Sequence, residues 1–133
     1  MDKHHSRIQL ILGKDVERTM RTAELYRNYL LKQLPLPVLV TGAEDFPWEE
    51  PYVLGVWDQD EYEELKKANP SYTDTFELVN LDKPNKHEDI VAKLKRVLDG
   101  KLFEIGLSWL CCKEENSDSH LLLDDYGRWH TNY

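Results

Sequence analysis

Apolar residues recur at helical spacing across residues 15–34, where Val16, Met20, Ala23, Leu30 and Leu34 share one stripe and Tyr26 lies beside it. That spacing predicts a long helix with Asp15 as its N-cap and Pro35 as its stop. Upstream, Ile8-Gln9-Leu10-Ile11-Leu12 is too short for its period to separate a strand from a helical turn, and Gly13 breaks it. Downstream, Val38, Val40, Phe46 and Trp48 are interleaved with Pro37, Gly42, Pro47 and Pro51, which reads as a strand followed by an irregular loop anchored by aromatics. Residues 60–68 open with acids and close with Lys66 and Lys67 before Asn69-Pro70, so a short helix with Asp60 near its start suits the helix dipole at both ends.

The second half alternates. Residues 76–81 and 90–98 read as strands, the latter with Ile90, Ala92, Leu94 and Leu98 on one face and Lys93 and Lys95 on the other. Asp99-Gly100 suits a type I′ turn, and residues 101–107 supply the returning strand. Residues 80–89 and 114–119 are polar loops. Over 124–133, Tyr126, Trp129 and Tyr133 fall on one helical face and predict a short aromatic helix, with Asp124 and Asp125 as its caps. The expected architecture is one α+β domain over residues 1–133: an N-terminal helix, a small antiparallel sheet curling into a partial barrel, and a closing aromatic helix. Residues 1–14 are expected to be a mobile segment.

Composition narrows the function. The 133 residues carry 17 Lys and Arg against 25 Asp and Glu, a net charge of -8, which argues against a nucleic-acid binder because phosphate contacts need clustered cations. No apolar run approaches the ~20 residues of a membrane span, and the start has no apolar core of the signal-peptide kind, so a cytoplasmic protein without a membrane partner is expected. Cys111-Cys112 is the whole cysteine complement and offers no disulfide framework. The charge is regional: residues 1–40 sum to +3, residues 41–133 to -11, and residues 41–77 alone to -9. Such crowding of like charge is relieved by bound cations or a basic surface, and its plainest reading is a solvated acidic face.

Metal binding through nitrogen and sulfur fails on spacing, because His4, His5, His87, His120 and His130 form no paired ligand motif and adjacent cysteines point to opposite faces of a strand. Nothing forms a local catalytic signature, so no enzyme is expected. Calcium fits better, since it takes six to eight oxygens. An EF-hand loop counted from Asp58 has Glu63 where glycine belongs and Asn69 where glutamate belongs, so any site is irregular. The candidate ligands are Glu44, Asp45, Glu49 and Glu50, two carboxylate pairs around a proline-constrained turn, together with Asp58 and Asp60. Trp48, Tyr52 and Trp57 beside the same acids allow a second reading, an acidic module of the immunity or nucleic-acid-mimic type that binds a basic protein.

Two stretches carry a family resemblance. One is Leu25-Tyr26-Arg27-Asn28-Tyr29-Leu30-Leu31 running to Leu34-Pro35-Leu36-Pro37. The other joins Asp99-Gly100-Lys101-Leu102-Phe103-Glu104-Ile105, Leu107-Ser108-Trp109-Leu110 and Asp124-Asp125-Tyr126-Gly127-Arg128-Trp129, ending in Asn132-Tyr133. They resemble the cyanobacterial small acidic intracellular calcium-binding proteins, the calcium buffers associated with heterocysts. The acidic 42–70 stretch and the cysteine pair depart from that pattern, so no ligand is carried over residue by residue. The resemblance implies a helix, a small barrel-like sheet and a closing aromatic helix, with calcium as the ligand, held by surface carboxylates without an EF-hand.

Overall fold

The computed structural model describes residues 3–55 and 58–133. The first element is helix α1 (Lys3–Leu12), because His4, Ile8 and Leu12 bury one stripe at intervals of four. The terminal segment is thus a docked helix, ended by Gly13 in the left-handed region at φ 80°. Helix α2 (Met20–Gln33) begins later than the apolar stripe suggests. Its N-cap is Thr19, whose hydroxyl accepts from the Thr22 amide at 3.1 Å while Thr22 Oγ1 accepts from the Thr19 amide at 2.9 Å. Asp15 caps nothing and pairs with Arg21 at 2.7 Å. Leu34 leaves the helix in an extended conformation ahead of Pro35, as the proline requires.

Strand β1 (Val38–Gly42) is followed by a 3-10 turn (Pro47–Glu49), the single turn α3 (Glu50–Val53) and helix α4 (Gln59–Ala68). Asp58 caps α4 by accepting from the Asp60 amide at 2.8 Å, so the cap lies two residues before the expected start. Strands β2 (Thr75–Asp82), β3 (Val91–Arg96), β4 (Leu102–Gly106) and β5 (Leu110–Cys112) complete a wholly antiparallel sheet of order β4-β3-β2-β1-β5. The sheet is open, with β4 and β5 as edges. The β3–β4 hairpin closes where Asp99-Gly100 places it, but by a longer turn: the Arg96 amide donates to Lys101 O and the Gly100 amide to Arg96 O. Gly100 takes φ 74° whereas Asp99 has no positive φ, which a type I′ turn would demand.

Helix α5 (Asp118–Asn132) starts six residues before the aromatic face, capped by Ser117 accepting from the His120 amide at 3.0 Å. Asp124 and Asp125 are therefore mid-helix rather than caps. Asp124 pairs with Arg128, and the buried Asp125 accepts two hydrogen bonds from Arg7 of α1 at 2.6 and 2.8 Å. One core joins α1, α2 and α5 to the sheet through Ile8, Tyr26, Leu78, Leu94, Tyr126 and Trp129. Tyr26 packs 5.1 Å from both the Tyr126 and Trp129 rings. No helix among the described residues is long and apolar enough to cross a membrane.

Candidate functional site

The six carboxylates singled out by sequence do not converge. Glu49 lies in the interior, 0% exposed, and each oxygen is taken twice. Oε1 accepts from the Tyr62 hydroxyl at 2.9 Å and the Ser71 hydroxyl at 2.5 Å, while Oε2 accepts from the amides of Phe46 at 3.2 Å and Tyr72 at 2.9 Å. Four donors satisfy the four lone-pair positions of a carboxylate, so this charge fastens the 3-10 turn to α4 and to the approach to β2. Burial, with help from Glu49, pushes the Tyr62 phenol well above its ordinary range.

Aromatics complete that fastening. Tyr52 stacks on Tyr62 at 5.1 Å, and Trp48 Nε1 donates to Pro70 O at 2.8 Å. Tyr52 is buried and Trp48 half-buried, so neither is an exposed anchor; Trp57 lies outside the described residues. Of the other predicted ligands, Glu50 and Asp60 are exposed on α3 and α4, Asp58 is the exposed α4 cap, and Asp45 is partly exposed after β1.

Glu44 alone among the six lines a polar cavity of about 510 Å³, whose lining also includes Glu88 and Asp89 from the loop between β2 and β3. Asn85 shapes that loop by accepting from the amides of His87 at 2.8 Å and Asp89 at 3.3 Å, and Glu88 takes a left-handed φ of 55°. Asp89 is 3% exposed. Its Oδ1 accepts from the Tyr126 hydroxyl at 2.7 Å and the Ser108 amide at 3.1 Å, and its Oδ2 from the Ser108 hydroxyl at 2.6 Å. Gly106 leaves the space for this carboxylate, because a Cβ there would overlap Oδ2. Burial first, then the Asp89 charge, drive the Tyr126 phenol far up, so it remains a donor.

The cavity also holds cations. Arg18 Nε lies 3.8 Å from Glu88 Oε1, its guanidinium donates to His130 O, and Lys86 shares the rim. His130 Nε2 donates to His87 O at 3.0 Å, which directs that ring to structure. The carboxylates of Glu44 and Glu88 have the chemistry a hard cation takes, and Asp89 keeps one lone pair beyond its three hydrogen bonds, while Asn85 Oδ1 is filled by its two amides. Yet no group of three acidic, histidine or cysteine side chains among the described residues sits closely enough to hold a metal ion, so the donors are gathered without forming a cage. From sequence, residues 80–89 read as a polar connection. The Asn85-Lys86-His87-Glu88-Asp89 run, an Asx turn followed by two acids, is the signal that such a loop can present oxygens.

No family model and no curated protein matches the sequence. Solved structures do match. Anabaena CcbP, in its crystal structure, aligns with a TM-score of 0.61 over 97% of this chain and 90% of its own, at 15% identity. A calcium binding protein in its calcium-binding form aligns with a TM-score of 0.62 over 98% of this chain and 91% of that one, at 14% identity. The chain resembles CcbP in fold. The likeness to CcbP runs through both terminal helices and the sheet between them, and at this identity it speaks for architecture, leaving the ligands to be argued from the residues present.

Proposed function

We propose that this protein binds calcium without catalysis, using carboxylates on its loops in place of an EF-hand. The observation that carries the reading is the near full-length structural likeness to a protein described as a calcium binding protein in its calcium-binding form. The donor set around the 510 Å³ cavity supports it: Glu44 and Glu88 supply anionic oxygen and Asp89 keeps one lone pair beyond its three hydrogen bonds, whereas the Asn85 oxygen is already engaged by two amides. Asp45, Glu50, Asp58 and Asp60 act at longer range, raising the local cation concentration in a manner that salt screens over ~10 Å at 0.1 M. Glu49 takes no part, because its lone pairs are already engaged. Arg18 and Lys86 oppose a cation at this site, so affinity is modest and buffering suits the site better than sharp sensing. A reducing, cytoplasmic setting is in keeping with two free thiols.

Calorimetric titration with calcium, with magnesium as control, tests the reading. A saturable calcium isotherm is expected, weakened about tenfold in Glu44→Gln/Glu88→Gln and only about twofold in Asp58→Asn/Asp60→Asn. No heat up to millimolar calcium would sink the calcium reading. Equal losses in both pairs would move the site to the cap of α4.

A further inference from the structure

The sheet has a covered face and an open one. Val40, Leu78 and Leu94 turn into the core, so their chain neighbours Leu39, Glu77 and Lys95 turn the other way. The register sets Leu39 opposite Glu77, Glu77 opposite Lys95 and Lys95 opposite Leu102, which makes one continuous row across β1, β2, β3 and β4. Leu39 is 42% exposed and Leu102 74% exposed, so an apolar side chain ends the row on each side and one charge of each sign fills its centre. In the next row Lys93 is held by Asp82 and Glu104 at 3.7 Å each, whereas Glu77 and Lys95 form no ion pair among the described residues. Beside the row a shallow hollow of about 540 Å³ opens between Val79, Lys93, Leu102 and Glu104.

Charge selects the partner. Glu77, Glu104 and Asp82 stand against Lys93 and Lys95, so this face is nearly neutral in a chain of net charge -8 and has no dominant sign with which to attract a strongly charged surface. What suits it is a surface that carries the same row in reverse order. A twofold axis lying along the strands, midway between β2 and β3, produces that surface from a second copy: each Glu77 then faces the Lys95 of the other chain, and each Leu39 faces a Leu102 at the rim of the hollow. The two charged contacts lie about half a strand spacing from the axis, so the angle of about 30° between stacked sheets displaces them little. We propose that the open face of the sheet is an isologous docking surface for a second copy of this chain, with two Glu77–Lys95 pairs at its centre and two Leu39–Leu102 contacts at its ends. Four strands about 4.8 Å apart give a patch well under the ~800 Å² per partner of a standard interface, so the dimer is weak and forms as concentration rises.

Sedimentation equilibrium of the full chain, from about 10 µM to about 1 mM in about 0.15 M salt, is the test. The average mass should rise from 15.7 kDa toward twice that value, with a dissociation constant on the order of 0.1 mM. Lys95→Glu sets acids against acids across the axis and Glu77→Lys sets cations against cations, so each variant alone should self-associate at least about tenfold more weakly. Mixed in equal amounts the two variants complement one another, and association should return to about the parent level as a heterodimer, a rescue that a role confined to one chain would not give. Leu102→Ser leaves the charges unchanged at an exposed position and should weaken the dimer about three- to tenfold. The proposal is overturned by the mass of a single chain throughout the range, which would leave the face to a different protein, by parent-level association in both charge variants, or by a mixture that associates no better than its components.

Discussion

Replacing Glu49 by Gln separates a carboxylate that builds the fold from one that could bind an ion. The side chain keeps its shape, but one oxygen becomes an amide NH2 group. The Phe46 and Tyr72 amides cannot reverse their polarity, so the remaining oxygen must face them and the new NH2 must face the Tyr62 and Ser71 hydroxyls, which can rotate to accept. Every contact survives in form, and all four lose their ionic partner. A hydrogen bond to a charged group contributes about 1.5–3 kcal/mol against about 0.5–1.5 for a neutral one, and the easier burial of a neutral amide offsets part of the loss. A net destabilisation of about 2–3 kcal/mol follows, and Glu49→Ala, which leaves buried donors unpaired, should cost about 4 kcal/mol. Urea unfolding followed by tryptophan fluorescence measures this directly. With m of about 1–3 kcal/mol/M, the midpoint of Glu49→Gln should fall by about 1–2 M. Its calcium isotherm should match that of the parent. A midpoint within about 0.3 M of the parent would refute the network argument, and loss of calcium binding with intact stability would make Glu49 a ligand.

Two further substitutions probe the supports of the site. Gly106→Ala places a methyl against the Asp89 carboxylate and should destabilise by at least about 2 kcal/mol in the same assay while displacing the Tyr126 hydroxyl; a neutral effect would mean that Asp89 is not held as described. Asp99 is held down to about 2 by its hydrogen bonds with Arg96, so its contribution to stability is complete above about pH 4 and lost as the pH falls through the folded value. Asp99→Asn should therefore lower the thermal midpoint at neutral pH and show a vanishing deficit near pH 2, and an equal deficit at both would refute the assignment.

Period and punctuation located most elements. The stripe through Ala23, Tyr26 and Leu30, the alternation of Ala92 and Leu94, and Asp99-Gly100 at the hairpin each follow from local geometry that a chain writes into its own pattern. Errors gathered where tertiary contacts decide. Ile8 to Leu12 is helical because α1 buries its stripe against α2 and α5, and Thr19 displaces Asp15 as a cap because Thr22 answers it. Asp125 reads as a cap until Arg7, 118 positions away, is seen to neutralise it within the fold. The site was less legible still. Of the carboxylates lining the proposed site, only Glu44 falls in the acid-dense residues 41–77, whereas Glu88 and Asp89 join it through the fold, with Asp89 held by Ser108, a juxtaposition no local pattern contains.

The same distinction bears on how the net charge of -8 is to be understood. Asp125 and Asp74 are counter-ions to Arg7 and Arg96, Asp58 is a cap, and Glu49 is the acceptor for four donors. A carboxylate so engaged would have to give up a structural bond in order to bind an ion, so adding these acids to the count of ligands overstates the attraction for a cation. Glu44 and Glu88 differ. Glu88 is opposed by Arg18 across 3.8 Å, beyond hydrogen-bonding distance, and the Arg18 Nε is buried without a hydrogen bond of its own. A monovalent partner held so loosely is one that a divalent ion can replace at small structural cost, because it brings twice the charge and can also draw on Glu44. On the proposed calcium reading, the strength of the site is therefore set less by the number of acids in the sequence than by how weakly the chain's own cations hold the few that face the cavity.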